Sequence, residues 1–183
     1  MAAKKKRTPR TNAMRLLDAH KVDYEVFTFS TDIHSAMGVA EAVGLEPDTV
    51  YKTLVVKPLQ GKPLLVMVAG DAQIDLPALA ESVGEKKLHM ASQRDAEALT
   101  GLQVGGISAL ALLNKGFVIC IDRAAQALKQ VTISAGQRGV NLRLAVDDLV
   151  RVTGARWVDA RWVDATGSGA AESTTAVEPH RGG

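Results

Sequence analysis

The chain has 183 residues, of which 46% are hydrophobic, and its formal net charge is +2 at pH 7. This size and composition fit one soluble domain with a sizeable core, and no run approaches the roughly 20 apolar residues that a membrane helix needs. The single cysteine excludes a disulfide framework and a cysteine-based metal site. We therefore expect a cytoplasmic protein with no membrane partner.

The charge is unevenly distributed along the chain. Five cations lie within residues 1–10, which contain no acidic residue, so the rest of the chain is net negative. We expect 1–10 to be a disordered basic arm, serving either for salt-sensitive phosphate contacts or only for solubility. Residues 11–155 are expected to form one folded domain. Residues 156–183 are expected to be a disordered tail, beginning within a pentapeptide at 155–159 that is repeated at 160–164.

Capping residues and apolar spacing predict five helices in the folded domain. Each helix begins at a residue whose side chain can accept a hydrogen bond from free backbone N–H groups, and most end at a glycine. The predicted starts are Thr11, Ser35, Asp75, Ser92 and Asp147, and the predicted glycine ends are Gly44, Gly84, Gly101 and Gly154.

Seven segments rich in β-branched or apolar residues are predicted to be strands. Residues 50–56 and 64–68 are joined by a short turn and are expected to pair as an antiparallel hairpin. Strands that adjoin through short turns and are interrupted by helices predict an α+β domain with a mixed, largely antiparallel sheet and several flanking helices. The other predicted strands are 24–29, 88–90, 117–121, 131–134 and 140–146.

The strand 50–56 carries a cation on an otherwise apolar face. Because side chains alternate along a strand, Lys52 shares a face with three apolar residues, Val50, Leu54 and Val56. An ammonium in such a place must reach water, find an anionic partner or lose its proton. Lys52 is therefore either an edge-strand lysine that discourages aggregation or a functional cation at the rim of a pocket.

The usual catalytic groups are poorly placed in this sequence. Cys120 alternates with Ile119 and Ile121 in an apolar strand, which indicates a core thiol. The four histidines lack metal-ligand spacing, and His34, just before a helix start, is expected to be a loop or capping residue. No nucleophile elbow, HExxH or Walker sequence is present. We therefore expect no metal and no cofactor.

Two glycine-rich turns are candidate ligand sites. At Gly105 and Gly106 the absent side chains let backbone N–H groups approach a ligand closely. Between Ser134 and Gly139, a hydroxyl and the guanidinium of Arg138 flank a similar turn. Either turn alone also fits a purely steric role, because tight turns require glycine.

The combination of these segments is more specific than any one of them. In this order and spacing, Val50-Tyr51-Lys52-Thr53-Leu54, Thr100-Gly101 with Val104-Gly105-Gly106-Ile107-Ser108, and Ser134-x-Gly136-x-Arg138-Gly139 closely resemble the YbaK/EbsC family. The resemblance runs from about Thr11 to Ala155 and implies a YbaK-like single domain. That family contains bacterial Cys-tRNA(Pro) deacylases and is related to the editing insertion domain of prolyl-tRNA synthetases.

The resemblance implies a trans-editing enzyme that hydrolyses mischarged Cys-tRNA(Pro). Cysteine is small enough to enter a proline site, and one methylene gives only about 1–3 kcal/mol of discrimination, so a second, hydrolytic sieve is needed. In this family the substrate's own thiol is thought to attack its ester carbonyl and expel the tRNA 3′-hydroxyl. The implied partners are the 3′ aminoacyl-adenosine end of tRNA and prolyl-tRNA synthetase.

The resemblance also implies which residues form the site. Lys52 would be the catalytic residue and would meet the terminal nucleotide or the ester oxygens. Backbone donors of the first glycine turn would line the amino-acid pocket, while Ser134 and Arg138 would contact the terminal ribose, phosphate or pocket wall. The full set of implied substrate-binding positions is Phe29, Thr53, Gly105, Gly106, Ile107, Ser108, Ser134, Gly136, Arg138 and Asn141.

Several positions depart from the family pattern. Phe29 stands where many relatives have tyrosine, and Ala109 replaces a proline. Ala135 and Gln137 replace a glycine and a lysine, and Asn141 falls where an acidic residue is common. The lost hydroxyl, cation and carboxylate keep two other functions open. One is a deacylase of Ala- or Ser-tRNA that uses an activated water, and the other is a non-catalytic module that binds tRNA or a synthetase.

Overall fold

A computed structural model describes residues 10–162 of the chain. Within that range there are five α-helices and eight β-strands. The helices are α1 Asn12–Ala19, α2 Ala36–Val43, α3 Leu76–Val83, α4 Gln93–Thr100 and α5 Val146–Thr153. The strands are β1 Tyr24–Thr28, β2 Tyr51–Pro58, β3 Leu64–Ala69, β4 Leu88–Met90, β5 Val118–Asp122, β6 Gln130–Gln137, β7 Val140–Ala145 and β8 Arg156–Val158. Over these residues, no helix is long and apolar enough to cross a membrane.

The helix boundaries follow the local capping chemistry. Four of the five predicted starts are N-caps whose side chains accept a backbone N–H bond, which confirms these predictions: Thr11, Ser35, Asp75 and Ser92. The exception is α5, which begins at Val146 behind Ala145 and has no side-chain cap. Asp147 lies in the first turn of α5, where a carboxylate is favoured by the helix dipole. The predicted capping position, Asp147, was therefore two residues later than the observed N-cap, Ala145.

The strands are divided between two sheets instead of being gathered in one. The order is β1-β7-β6 in the first sheet, in which all pairs are antiparallel, and β4-β2-β3-β5-β8 in the second. The predicted β2–β3 hairpin is antiparallel, whereas β3–β5 and β5–β8 are parallel. The sheets approach each other where Val50 forms a parallel bridge with Thr132. This is the α+β class that the sequence predicted.

Both faces of the second sheet are covered, and the site lies where three apolar clusters meet. The largest cluster joins α1, α5 and the first sheet to one face of the second and includes Leu17, Met67, Ile133, Leu142 and Leu149. A second cluster packs α3 on the opposite face of the second sheet and includes Val56, Val66, Leu79, Cys120 and Val158. A third joins α2 to Val50, which directly precedes β2. Lys52 lies two residues further along the chain.

Residues 156–162, which the sequence placed in a tail, belong to the folded part of the structure. Arg156–Val158 forms strand β8 beside β5, and residues 160–162 pair with the loop after β3. The small and polar composition after residue 164 was the reason for predicting a tail. Trp157 and Val158 lie before that stretch and pack into the apolar clusters, so the domain extends beyond residue 155. Residues 1–9 of the basic arm predicted at 1–10, and residues 163–183 of the predicted tail, lie outside the described residues. Arg10 lies inside this range and forms an ion pair with Asp18.

Candidate active site

Lys52 projects from β2, where the strand pairs with the end of β3. Its half-buried ammonium donates hydrogen bonds to the carbonyl oxygens of Gly70 at 3.2 Å and Ala72 at 2.8 Å. Burial lowers the pKa of Lys52 below its usual value, and the nearby carboxylate of Asp71 opposes this shift. An ammonium has three N–H donors. Within the described residues two of them are used, so one remains available to a ligand.

The loop that supplies the two carbonyls is held close to β2 by Gly70. The Gly70 N–H donates to the carbonyl of Val50 at 2.7 Å. A Cβ on Gly70 would lie 2.7 Å from the Cβ of Ala36 and 2.9 Å from the oxygen of Val50, so no larger residue fits without displacement of the backbone. This close approach between the loop, α2 and β2 brings the carbonyls within reach of Lys52.

Lys52 lines a cavity of about 380 Å³. Six of the predicted site residues lie on its wall: Lys52, Thr53, Gly105, Ile107, Ser134 and Asn141. Ser134 and Asn141 face each other across the β6–β7 pair, which places both near the end of the first sheet. The cavity therefore gathers residues from both sheets and from the first glycine turn around one ammonium.

The two glycine turns pack directly against each other. A Cβ on Gly106 would lie 2.9 Å from the backbone nitrogen of Arg138 and 3.1 Å from the carbonyl carbon of Gln137. Gly105 has a φ of +92°, a conformation that favours glycine, and lies beside His34 and the Arg138 side chain. Glycine at 106 is thus required by close packing, and glycine at 105 by backbone conformation.

Arg138 connects the two turns. Its Nε donates to the carbonyl of Val104 at 2.7 Å, immediately before Gly105. The side chain is half-buried and does not line the cavity. The structure thus places Arg138 behind the pocket wall, where its charge and hydrogen bond hold the first turn in position.

Four other predicted residues also lie off the cavity wall. Phe29 packs in the cluster around α2, and its N–H donates to Gly139. Gly106 faces the second turn, and Gly136 faces Ala111. Ser108 is fully buried, and its hydroxyl has no hydrogen-bond partner among residues 10–162.

The sequence did not identify two parts of the wall. One is the start of α2, and the other is the turn from β4 into α4. Exposed methionines near each part, Met37 and Met90, were the available signal, because large exposed apolar side chains often mark binding surfaces. The lining residues from these two parts are His34, Ser35, Ala36, Met37, Val39, Met90, Ala91, Gln93 and Ala96.

Among the residues that the structure describes, Cys120 and His34 are the other candidate reactive side chains. Cys120 is buried in β5, and burial raises its pKa to about 11, which confirms a core thiol. His34 lies at the exposed edge of the cavity, and its Nε2 is 3.0 Å from the carbonyl of Thr31. In the part of the chain that the structure describes, no three His, Cys, Asp or Glu residues are grouped to hold a metal ion.

Comparison with known proteins identifies the class that this fold and site define. Residues 30–152 match the family described as the aminoacyl-tRNA editing domain. The chain is 36% identical over 159 residues to a protein of Enterococcus faecalis (strain ATCC 700802 / V583) named "Putative Cys-tRNA(Pro)/Cys-tRNA(Cys) deacylase EbsC", and the match covers 86% of this chain and 96% of that protein. The chain belongs to the aminoacyl-tRNA editing domain family, as its motifs predicted.

Further matches agree with this assignment. A proline--tRNA ligase of Pelobacter propionicus (strain DSM 2379 / NBRC 103807 / OttBd1) is 28% identical over 135 residues, which cover 72% of this chain and 23% of that protein. A crystal structure of "a putative trans-editing enzyme for prolyl tRNA synthetase" has a TM-score of 0.70 at 24% identity, with 85% of this chain and 99% of that one covered. A structure of the hypothetical protein APE2540 has a TM-score of 0.76 at 23% identity, with 82% and 99% covered. The structural matches confirm the fold.

Proposed function

We propose that this protein is a trans-editing deacylase that removes cysteine from mischarged Cys-tRNA(Pro). The observation that carries the proposal is the cavity in which the Lys52 ammonium faces the same space as the first glycine turn. A free N–H on a fixed cation suits an oxygen that becomes negatively charged during ester cleavage. The name of the Enterococcus faecalis relative supports cysteine as the amino acid.

We further propose that the thiol of the substrate is the nucleophile. Its sulfur attacks the carbonyl carbon of the same cysteinyl ester, the bond to the 3′-oxygen of the tRNA breaks, and the thiol proton passes to that oxygen. The amino acid leaves as a cyclic thioester, which water opens to free cysteine. Intramolecular attack is accelerated strongly by correct orientation, so the protein contributes mainly by holding the two ends of the substrate.

The residues of the cavity divide this task between them. The loop carbonyls of Gly70 and Ala72 accept two of the three N–H donors of the Lys52 ammonium. The third N–H donates to the developing oxyanion. Backbone N–H groups near Gly105 and Ile107 face the amino acid, and Ser134 and Asn141 face the ribose and the α-amino group. The hydroxyl of Ser134 accepts the Gly136 N–H at 3.2 Å, which fixes its orientation.

The substrate also determines the partners and the compartment. Aminoacyl-tRNA brings its 3′ aminoacyl-adenosine end to the cavity, and prolyl-tRNA synthetase is the source of the error. The match to part of a proline--tRNA ligase supports this relation, because that segment shares the sequence pattern of this chain. We infer that the protein acts in the cytoplasm, where these molecules are found.

The proposal is tested by a deacylation panel with one tRNA(Pro) charged with cysteine, serine or alanine. Wild-type protein is compared with Lys52→Ala and with Lys57→Ala, a matched control on the same strand whose exposed ammonium pairs with Asp95 at 3.4 Å. We expect rapid loss of cysteine only, a decrease of about 100-fold or more with Lys52→Ala, and no change with Lys57→Ala.

Each other result contradicts a defined part of the proposal. Equal rates for cysteine, serine and alanine would exclude attack by the substrate thiol. Faster release of serine or alanine would indicate the deacylase that uses an activated water. Binding of the charged tRNA without turnover would indicate a non-catalytic module.

A further inference from the structure

The two copies of the repeated pentapeptide make different contacts. In the first copy, Arg156–Val158 forms β8 at the edge of the second sheet. In the second copy, Arg161 forms an antiparallel bridge with Ile74 in the loop after β3. Two main-chain bonds of 2.8 Å flank this bridge: Trp162 N–H to the carbonyl of Gln73, and Asp75 N–H to the carbonyl of Ala160.

A buried carboxylate attaches this second copy to the sheet. Asp122 ends β5 and is 2% exposed. One of its oxygens accepts the Ala160 N–H at 3.0 Å, and the other lies 3.6 Å from Nε of Arg161. That second oxygen has no hydrogen-bond partner among the described residues. Because an unpaired buried carboxylate is unfavourable, the charge of Asp122 favours keeping the guanidinium of Arg161 beside it.

The loop held in this way is the one that holds Lys52. Ala72, whose carbonyl is 2.8 Å from the Lys52 ammonium, directly precedes Gln73, which accepts the Trp162 bond. Displacement of residues 160–162 therefore releases the loop at Gln73, the residue next to Ala72, whose carbonyl contacts the Lys52 ammonium. The first carbonyl, at Gly70, stays attached to β2 through Val50.

We propose that residues 160–162 are a positioning element for Lys52, with Arg161 as the positioning residue that acts through the 70–75 loop. This assigns a role to the second copy of the repeat, which lies beyond the residues 30–152 matched by the family. The importance of this role for catalysis rests on the proposed function. The claim that residues 160–162 place the ammonium is independent of that function. A substitution at Arg161 changes the surroundings of Lys52 without contacting it.

The test uses Arg161→Ala, with Arg156→Ala as the matched control in the first copy, where the arginine is exposed. Full-length protein labelled with ¹³C-lysine is titrated by NMR, with Lys52 assigned from the Lys52→Arg variant. Deacylation of Cys-tRNA(Pro) is measured as separate kcat and KM values on the same samples. Arg161→Lys keeps the charge and provides the conservative rescue.

We expect Arg161→Ala to move the titration of Lys52 to higher pH, because water reaches the ammonium and its desolvation decreases. Asp71 on the same loop works in the opposite direction, but burial is the larger cause of the present shift. We also expect kcat to fall about tenfold or more with KM nearly unchanged, since the reacting groups are misplaced but the pocket remains. Arg156→Ala is expected to match wild type, and Arg161→Lys to restore most of both values.

A folded Arg161→Ala protein with the wild-type Lys52 titration would overturn the proposal, and so would an equal change in Arg156→Ala. If Arg161→Ala does not fold, full-length Trp162→Pro, which lacks the N–H that donates to Gln73, is compared with full-length Trp162→Ala, which keeps it. Here an unaltered Lys52 titration in Trp162→Pro would be the contradicting result. If no sample deacylates Cys-tRNA(Pro), the proposed function fails, while the NMR titration still decides whether Arg161 positions Lys52.

Discussion

Gly106 and Arg138 lie so close together that a Cβ on the glycine would be 2.9 Å from the backbone nitrogen of the arginine. The first turn carries the pocket wall, and the second turn supports it from behind. Substitution at Gly106 therefore tests whether the shape of this contact matters for catalysis. We expect Gly106→Ala to cost about 1–3 kcal/mol of unfolding free energy, because the neighbouring atoms are backbone and cannot rotate away.

The same substitution is expected to lower kcat/KM per folded molecule by about tenfold or more, since Gly105 and Ile107 move with it. Gly84→Ala provides the comparison, because that helix-ending glycine has a φ of +75° and no atom within 4 Å of a new Cβ. The Gly84→Ala protein should lose about 1 kcal/mol of unfolding free energy and keep the wild-type turnover. Chemical denaturation and deacylation assays measure both effects, and equal turnover for the two variants would contradict this prediction.

The hydrogen bond from Arg138 to the Val104 carbonyl is expected to support both stability and catalysis, because it holds the pocket wall in position. Arg138→Ala removes a half-buried, charged donor at 2.7 Å, and the carbonyl before Gly105 is left without it. We expect a loss of about 1.5–3 kcal/mol in stability and a larger decrease in kcat/KM than stability alone explains. Arg143→Ala is the control, because its guanidinium pairs with Glu25 on the exposed side of the first sheet. If both variants lose activity equally, Arg138 has no special role in the wall.

Replacement of the single cysteine tests whether the protein supplies a thiol. Cys120 is fully buried in the cluster beneath α3 and does not line the cavity. We expect Cys120→Ala to keep wild-type kcat on Cys-tRNA(Pro), with a stability loss of about 1 kcal/mol from the small space created. Single-turnover deacylation and thermal unfolding give the two values. Loss of turnover in a folded Cys120→Ala protein would indicate a protein thiol in the reaction.

The buried thiol also predicts how stability changes at alkaline pH. Burial raises the pKa of Cys120 from 9.0 to about 11, so the unfolded chain loses this proton first. The stabilising contribution is complete below pH 9 and decreases as pH rises towards 11, by an amount on the order of 2 kcal/mol. Burial likewise raises the pKa of Tyr51, with Asp122 acting in the same direction, so both groups destabilise the folded state above pH 10.

Denaturant unfolding of wild-type and Cys120→Ala protein across pH 8–11 separates these two contributions. We expect wild type to lose more stability than the variant over this range, and the remaining decrease to be due to Tyr51. The thiol should also react with a disulfide reagent only as fast as the protein opens. A rapid reaction with the folded protein at pH 9 would show that the thiol is accessible.

The sequence by itself determined the elements whose signals are local, and it determined the family. Side-chain caps such as Ser35 and Asp75 act within one helical turn, so their positions could be predicted from neighbouring residues alone. The alternation around Lys52 and the two glycine turns could be predicted in the same way. The spacing of these motifs identified six residues of the cavity wall, including Lys52, but not the parts contributed by α2 and by the turn into α4.

Only the tertiary structure decided how these motifs meet and what holds them. The division of the strands into two sheets, the Arg138 bond to Val104 and the loop carbonyls around Lys52 join residues that are distant in sequence. The bond between Ala160 of the second repeat copy and Asp122 is equally non-local, because the two residues are 38 positions apart in the sequence. Such contacts depend on which surfaces pack together, and burial, not local preference, determines that choice.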